Sequence, residues 1–389
     1  MTGGFGSYDF GLTPDAEARA QRLHAESLII DILFQGPCGY RSFSTEHRDE
    51  IEKAWAGTDD LSAGLVLSGR VNLDRLLSGQ WPESRQVWEA SGITAGNRQF
   101  TMRPRDLAGS FAGAVAQFDR LTWLSKAICG DDFRRAQAEG KRAGFLTTQD
   151  TTGIDRELSP LDLVHQLGGR VIGLTYNQMN YVGSGCTDRA DGGVSDFGAR
   201  FIRRMNELGI IADTAHSGRQ TTLDACSISS RPVIASHTSA DAVSPHDRAK
   251  SDSELRALAG TGGVIGVVAV PFFLSTGRDV TIDAMLDHID YVANLVGWQH
   301  VAIGTDWPLQ MTRGALSRIG EMEGQYGFRP EHRVSWTTNL IGFDDYRDFP
   351  NITRGLVKRG YTDEQVQGIL GENFLRVVDD VCGKEAAVE

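Results

Sequence analysis

The chain lacks the marks of a secreted, membrane-spanning or nucleic-acid-binding protein. Its five cysteines (Cys38, Cys129, Cys186, Cys226 and Cys382) are odd in number, scattered and without CxxC spacing. That excludes a disulfide framework and a Cys-rich zinc site, and implies free thiols in a reducing compartment. No Lys/Arg-rich run occurs and the formal net charge is −12. Nucleic acid and acidic membrane surfaces both require a basic face, so neither is an expected partner. No apolar run is long enough to span a bilayer. The opening residues carry neither a basic nor an apolar leader segment, and the Gly-Lys-Glu-Ala-Ala-Val-Glu tail carries no lipid-anchor signal. A cytoplasmic protein is the expectation. The paired glycines Gly192-Gly193 and Gly262-Gly263 lack a GxGxxG or P-loop context and signal turns.

What is present is ordinary globular composition, 40% hydrophobic and 23% charged over 389 residues. That length suits one barrel with insertions or two domains. Short apolar runs alternate with helical patterns, which points to an α/β fold with a parallel sheet. Strands are predicted at Leu28–Phe34, Gly144–Thr148, Val171–Thr175, Ile210–Asp213, Pro232–Ser236, Gly263–Val268 and Val301–Gly304. An eighth would close a (β/α)8 TIM-like barrel, and Ser62–Ser68 is the weak choice for it. Helices are predicted around Glu46–Trp55, Ala112–Ile128, Asp196–Leu208 and Ile282–Val296, and a capping box at Ser251–Glu254 starts another. The irregular stretch 36–141 reads as a helical insertion or cap after the first strand, within one domain spanning 1–389.

The sharpest signal is a pair of strand ends, Ile210-Ile-Ala-Asp-Thr-Ala-His216 and Pro232-Val-Ile-Ala-Ser-His237. The histidines are 237 − 216 = 21 residues apart, room for one helix between two parallel strands. Histidines at the C-terminal ends of successive barrel strands converge on one mouth, where such folds keep catalytic or metal-binding groups. Asp306 ends the apolar strand Val301–Thr305 and faces the same mouth. Arg248 lies in the loop after His237, and Trp307 directly follows Asp306 as an apolar wall. Asn177 braces a loop, and Cys38 is the one thiol near the mouth.

From about Gly168 to Arg376 the chain resembles the membrane (renal) dipeptidase family of the amidohydrolase superfamily. The resemblance rests on Leu174-Thr-Tyr-Asn177, Asp213-Thr-Ala-His216, Ala235-Ser-His237, Pro245-His-Asp-Arg248, His300-Val-Ala-Ile-Gly-Thr-Asp306 and Gly371-Glu-Asn-Phe-Leu-Arg376. It covers a little over half the chain well. It implies a zinc-dependent barrel hydrolase with two ions bridged by hydroxide. By that resemblance His216 and His237 hold one ion, Arg248 grips a substrate carboxylate, and Asp306 binds the substrate amine and moves the proton.

The first-strand motif departs from the family. In Asp31-Ile-Leu-Phe-Gln35, Leu33 stands where the family has a ligand His and Gln35 where it has a ligand Asp. Gln149 occupies the bridging carboxylate position, with Asp150 beside it, and Tyr176 replaces an oxyanion-stabilising His. One divalent ion, zinc first, is therefore expected on His216, His237 and an oxygen from Asp306, Asp150 or Gln149. The leading expectation is a hydrolase acting on an amide or other C–N bond of a small carboxylate-bearing molecule, with Tyr176 polarising the carbonyl. The rivals are a metal-free isomerase, tautomerase or lyase that uses the histidines as acid and base, and a binding homologue without chemistry. A homodimer is the default assembly.

Overall fold

The computed structural model describes residues 4–36, 42–100, 107–154, 156–277 and 279–383. Eight parallel strands close a barrel: β1 Ile30–Asp31, β2 Ala95–Gln99, β3 Arg142–Thr148, β4 Gly169–Gly173, β5 Ile211–Asp213, β6 Val233–Ala240, β7 Ile265–Val267 and β8 Val301–Ile303. Closure is direct, because Asp31 of β1 pairs with Ile303 of β8. All seven strands expected from apolar runs are present. The eighth is Ala95–Gln99; Ser62–Ser68 lies instead inside the helix Leu61–Leu77. The expected helix Ala112–Ile128 is a helix only to Arg120, after which Leu124–Lys126 forms a short strand on the edge of β3.

Burial explains why these segments are strands. Ile30, Ala95, Phe145, Val171, Ile211, Ile234 and Ala302 form one cluster with Phe374, Leu375, Val377 and Val378 of the helix Asn373–Cys382. That helix plugs the N-terminal end of the barrel, where Asn373 Nδ2 donates to the carbonyls of Trp298 and Val301. The opposite, C-terminal end is left for the site. The outer helices follow their caps. Asp196–Leu208 starts at Ser195, whose hydroxyl accepts from Gly198 N–H, and stops at Gly209 with φ 71°. Asp252–Gly260 carries the Ser251/Glu254 capping box.

Residues 36–141 contain barrel strand β2 as well as helices. Within that stretch Thr45–Ala56 and Leu61–Leu77 form a layer with Arg313–Met322 through Ile51, Trp55, Leu61, Ala315, Leu316 and Ile319. The layer therefore joins the chain after β1 to the chain after β8. No helix among the described residues is long and apolar enough to cross a membrane.

Two local features aim β6 into the mouth. Its pairing with β7 shifts register between Ala235 and Thr238, a bulge that re-aims His237. Gly266 and Gly304 let neighbouring strands press on it: a Cβ on either would lie 1.9 Å or 1.8 Å from the Ser236 carbonyl oxygen.

Candidate active site at the barrel mouth

His216 and His237 are both buried, and their Nε2 atoms face each other at 2.8 Å. The surrounding bonds assign their tautomers. Asn177 Nδ2 donates to the Tyr326 carbonyl at 2.9 Å, so its Oδ1 accepts the Nδ1 proton of His216 at 2.7 Å. Ser236 donates its hydroxyl proton to Asp213, so its Oγ accepts the Nδ1 proton of His237 at 2.7 Å. Each ring is thus held by its Nδ1–H, which leaves both Nε2 atoms as lone-pair donors, as in histidines that serve metals. Burial, followed by the charge of Arg248, pushes both imidazoles well below the usual histidine range. They are neutral at pH 7.

A third lone pair joins them. Gln149 Nε2 donates to Gln99 Oε1 at 3.0 Å, which turns Gln149 Oε1 to within 3.0 Å of His216 Nε2. Asp306 Oδ2 lies 3.9 Å from His237 Nε2. Two imidazole nitrogens, an amide oxygen and a carboxylate oxygen therefore converge with no proton of their own between the nitrogens. Such a concentration of acceptors calls for a cation or a donated proton, and the Arg248 guanidinium meets it in part, with Nη2 3.4 Å from His216 Nε2. Among the described residues no three His, Cys, Asp or Glu side chains form a cluster able to hold a metal ion. The set fits one ion only if the Gln149 amide serves as a ligand. It does not fit two.

Asp150 was the other oxygen expected here, and the structure takes it elsewhere. Its Oδ1 accepts from Thr152 N at 2.9 Å and Thr152 Oγ1 at 2.7 Å, an Asx turn that closes its own loop. Asp306 sits at φ 50° and Asn177 at φ 56°, left-handed conformations that Asp and Asn tolerate better than most residues. Gln35 Nε2 donates to Asp306 Oδ1. Burial raises the Asp306 carboxyl from 3.8 to about 6, against the Gln35 bond and Arg248, which lower it.

Arg248 is buried. Its Nη1 donates to the Ala215 carbonyl and its Nη2 to the His237 carbonyl at 3.3 Å. Its Nε–H is buried with no partner among the described residues. The guanidinium lies 5.5 Å over the Phe273 ring. Tyr176 stacks on His216 at 4.0 Å between ring centres. Burial raises its phenol well above the usual value, so it is a hydrogen-bond donor at neutral pH.

Trp307, expected as a wall of the mouth, is instead fully buried and packs near Phe272 at 6.4 Å. Cys38 lies outside the described residues, while Cys129, Cys186, Cys226 and Cys382 are free thiols. Several contributors were not foreseen. Asp213 and Ser236 precede the histidines in the same strand ends, and that alternation is a readable signal. Phe273 and Tyr326 reach the site only through long-range packing, whereas the first-strand motif already places Gln35 at the mouth and only its bond to Asp306 is new. Beside the mouth lies a cavity of about 510 Å3, bounded by Cys186, Ser217, Asp247 and His332 among others. Neither histidine, Arg248 nor Asp306 lines it, so the converging donors, and not this cavity, mark the site.

Residues 17–318 and 336–387 match the pattern of the membrane dipeptidase family (Peptidase family M19). A protein of Claviceps purpurea (strain 20.1) named dipeptidase tcpJ is 29% identical over 266 residues. That alignment takes in 68% of this chain and 56% of the fungal protein, so the chain spans little more than half of that relative. A solved structure described as an amidohydrolase from Pseudomonas aeruginosa superposes with a TM-score of 0.73 at 26% identity, covering 94% of this chain and 99% of that one. The probable dipeptidase PvdM of the same bacterium shares the fold, with a TM-score of 0.68 at 19% identity over 95% of this chain and 99% of its own. The chain belongs to the membrane dipeptidase family, Peptidase family M19.

Proposed function

We propose that the protein hydrolyses an amide or other C–N bond of a small carboxylate-bearing molecule, with one divalent metal ion, zinc first. The observation that carries this reading is the meeting of His216 Nε2, His237 Nε2 and Gln149 Oε1 as unprotonated donors beside Asp306. These residues would hold the ion. When bound, it acidifies a water and polarises a carbonyl.

The protein's own groups supply the rest. Arg248 offers the substrate carboxylate a charge-assisted partner, and its orphan Nε–H supports that role. Asp306, with its carboxyl raised to about 6, takes the proton of the attacking water and returns it to the leaving nitrogen. Tyr176 donates to the carbonyl oxygen as negative charge develops there. Asn177 and Ser236 fix the two imidazoles. The free thiols favour a reducing, cytoplasmic setting. A homodimer remains part of the proposal by default.

The test is amine release from a panel of dipeptides and N-acyl amino acids. Turnover should be abolished by His237→Ala and by a strong chelator. Turnover that survives His237→Ala contradicts the assignment. A second reading draws on the 2.8 Å separation of the two Nε2 atoms, which also suits one shared proton. In that case the site does acid–base chemistry without metal, as an isomerase, tautomerase or lyase would, and chelators leave activity intact. A protein that binds small acids yet turns over none of the panel is a binding homologue.

A further inference from the structure

The family match stops at residue 318 and resumes at 336. Much of the intervening chain is strapped across the mouth. On one side it is tied to the loop after β4, where Asn177 Nδ2 donates to the Tyr326 carbonyl at 2.9 Å and Arg329 Nη1 to the Thr187 carbonyl at 2.7 Å. On the other it is tied to the loop that carries Arg248. There His332 Nε2 lies 2.6 Å from Asp247 Oδ2, and His246 Nε2 bonds the His332 carbonyl at 2.7 Å. Between these ties Phe328 is buried against Phe273 and Trp336 at 6.5 Å and 6.3 Å, and Phe273 is the ring beneath Arg248. The position of the strap is set by packing as well as by hydrogen bonds.

The strap brings the ring of Tyr326 to the site. It meets Tyr176 edge to face, 5.2 Å between centres at 63°, and Tyr176 in turn lies nearly flat on His216. Both tyrosines are only partly buried, whereas Trp307 is enclosed. Two rings set at an angle, each partly exposed, form a corner beside His216, whose Nε2 Arg248 Nη2 approaches at 3.4 Å. A planar apolar group fits such a corner by stacking on one ring and meeting the edge of the other. A methyl group touches far less of it.

We propose that Tyr326 is a specificity-determining residue which, with Tyr176, forms an aromatic subsite for a planar apolar acyl or side-chain group of the substrate. The proposal rests on the functional reading above, in which Arg248 holds the carboxylate of the same molecule.

The test is calorimetric titration of the full chain with two acids that share a carboxylate arm, N-benzoylglycine and N-acetylglycine. The native protein should bind the benzoyl compound at least about ten-fold tighter. Tyr326→Ala should cut that ratio below about three-fold, and Tyr326→Phe should keep it. The tie from Asn177 goes to the backbone carbonyl of residue 326, so it survives these substitutions. Should Tyr326→Ala unfold, Tyr326→Leu carries the same expectation. A ratio near one in the native protein, or an undiminished ratio in Tyr326→Ala or Tyr326→Leu, overturns the subsite. Binding of neither acid overturns the Arg248 reading and the subsite with it. An intact ratio and undiminished binding of both acids in Arg248→Ala sinks the carboxylate anchor alone and leaves the aromatic corner standing.

Discussion

On the β5–β6 side of the mouth, each histidine spends its Nδ1 proton on a fixed acceptor and turns its Nε2 lone pair inward. On the β1 side the corresponding strand end offers the hydrocarbon of Leu33 and the amide of Gln35. Gln35 is no idle replacement, because it donates to Asp306 and occupies one oxygen of that carboxylate. One half of the mouth thus gathers lone pairs met only in part, by Arg248 Nη2 at 3.4 Å from His216 Nε2, while the other half satisfies itself. Metal capacity follows the lone pairs left over after the protein's own hydrogen bonds are made. By that rule the proposed single ion belongs to the β5–β6 side, and the β1 side offers no ligand set of its own.

The comparison is broken most severely at its acceptor-rich half. Asp306→Asn should lower turnover by about 10²–10⁴-fold in the amine-release assay, the usual worth of a positioned acid–base group. The same variant tests the electrostatics through stability. Below pH 3.8 the carboxyl is protonated in both folded and unfolded chains, and burial costs nothing. Between 3.8 and about 6 the unfolded chain ionises while the folded one keeps its proton, so stability falls as pH rises, and the penalty is complete above about 6. In chelator-treated protein, Asp306→Asn should therefore raise the unfolding free energy at pH 7 by up to about 3 kcal/mol. The gain should vanish below pH 3.8 in denaturant titrations.

Arg248→Lys comes next. It should raise KM for carboxylate substrates by about 10–100-fold and change kcat less, because a point charge replaces a planar fork. To sharpen the comparison, Leu33→His/Gln35→Asp restores the family's residues on β1. Metal content should then rise from one ion per chain to two, and a value that stays at one means something other than these two residues limits the β1 side. The smallest effect is expected at Asp150→Asn. An asparagine oxygen can close the same turn onto Thr152, so metal content should be unchanged and turnover altered by less than about two-fold.

The legible parts of the molecule are those that local pattern dictates. β3 to β8 and most of the strand end at β1 announce themselves as apolar runs, and the helices Asp196–Leu208 and Ile282–Val296 match their expected bounds. The missed strand, Ala-Gly-Asn-Arg-Gln, has no β-branched residue. Its Asn97 is buried by bonding Phe34 N at 2.6 Å and Thr147 Oγ1 at 2.9 Å, while Arg98 lies 4.4 Å over Trp88. Asn97 is satisfied only once the barrel exists, and Arg98 keeps a buried Nε with no partner among the described residues. His216 and His237 were readable because a strand end is a local event. Tyr326 was not, since it meets Tyr176 across 326 − 176 = 150 residues. Asp150 misled for the opposite reason: it is next to Gln149 in the chain, but its own turn rotates it away.

The most direct test of the central claim is metal content per chain, measured on protein purified without an affinity histidine tag and then equilibrated with zinc. The account predicts one ion per chain, absent from the His216→Ala/His237→Ala double variant. No ion in the native protein, or an ion retained in the double variant, would contradict it.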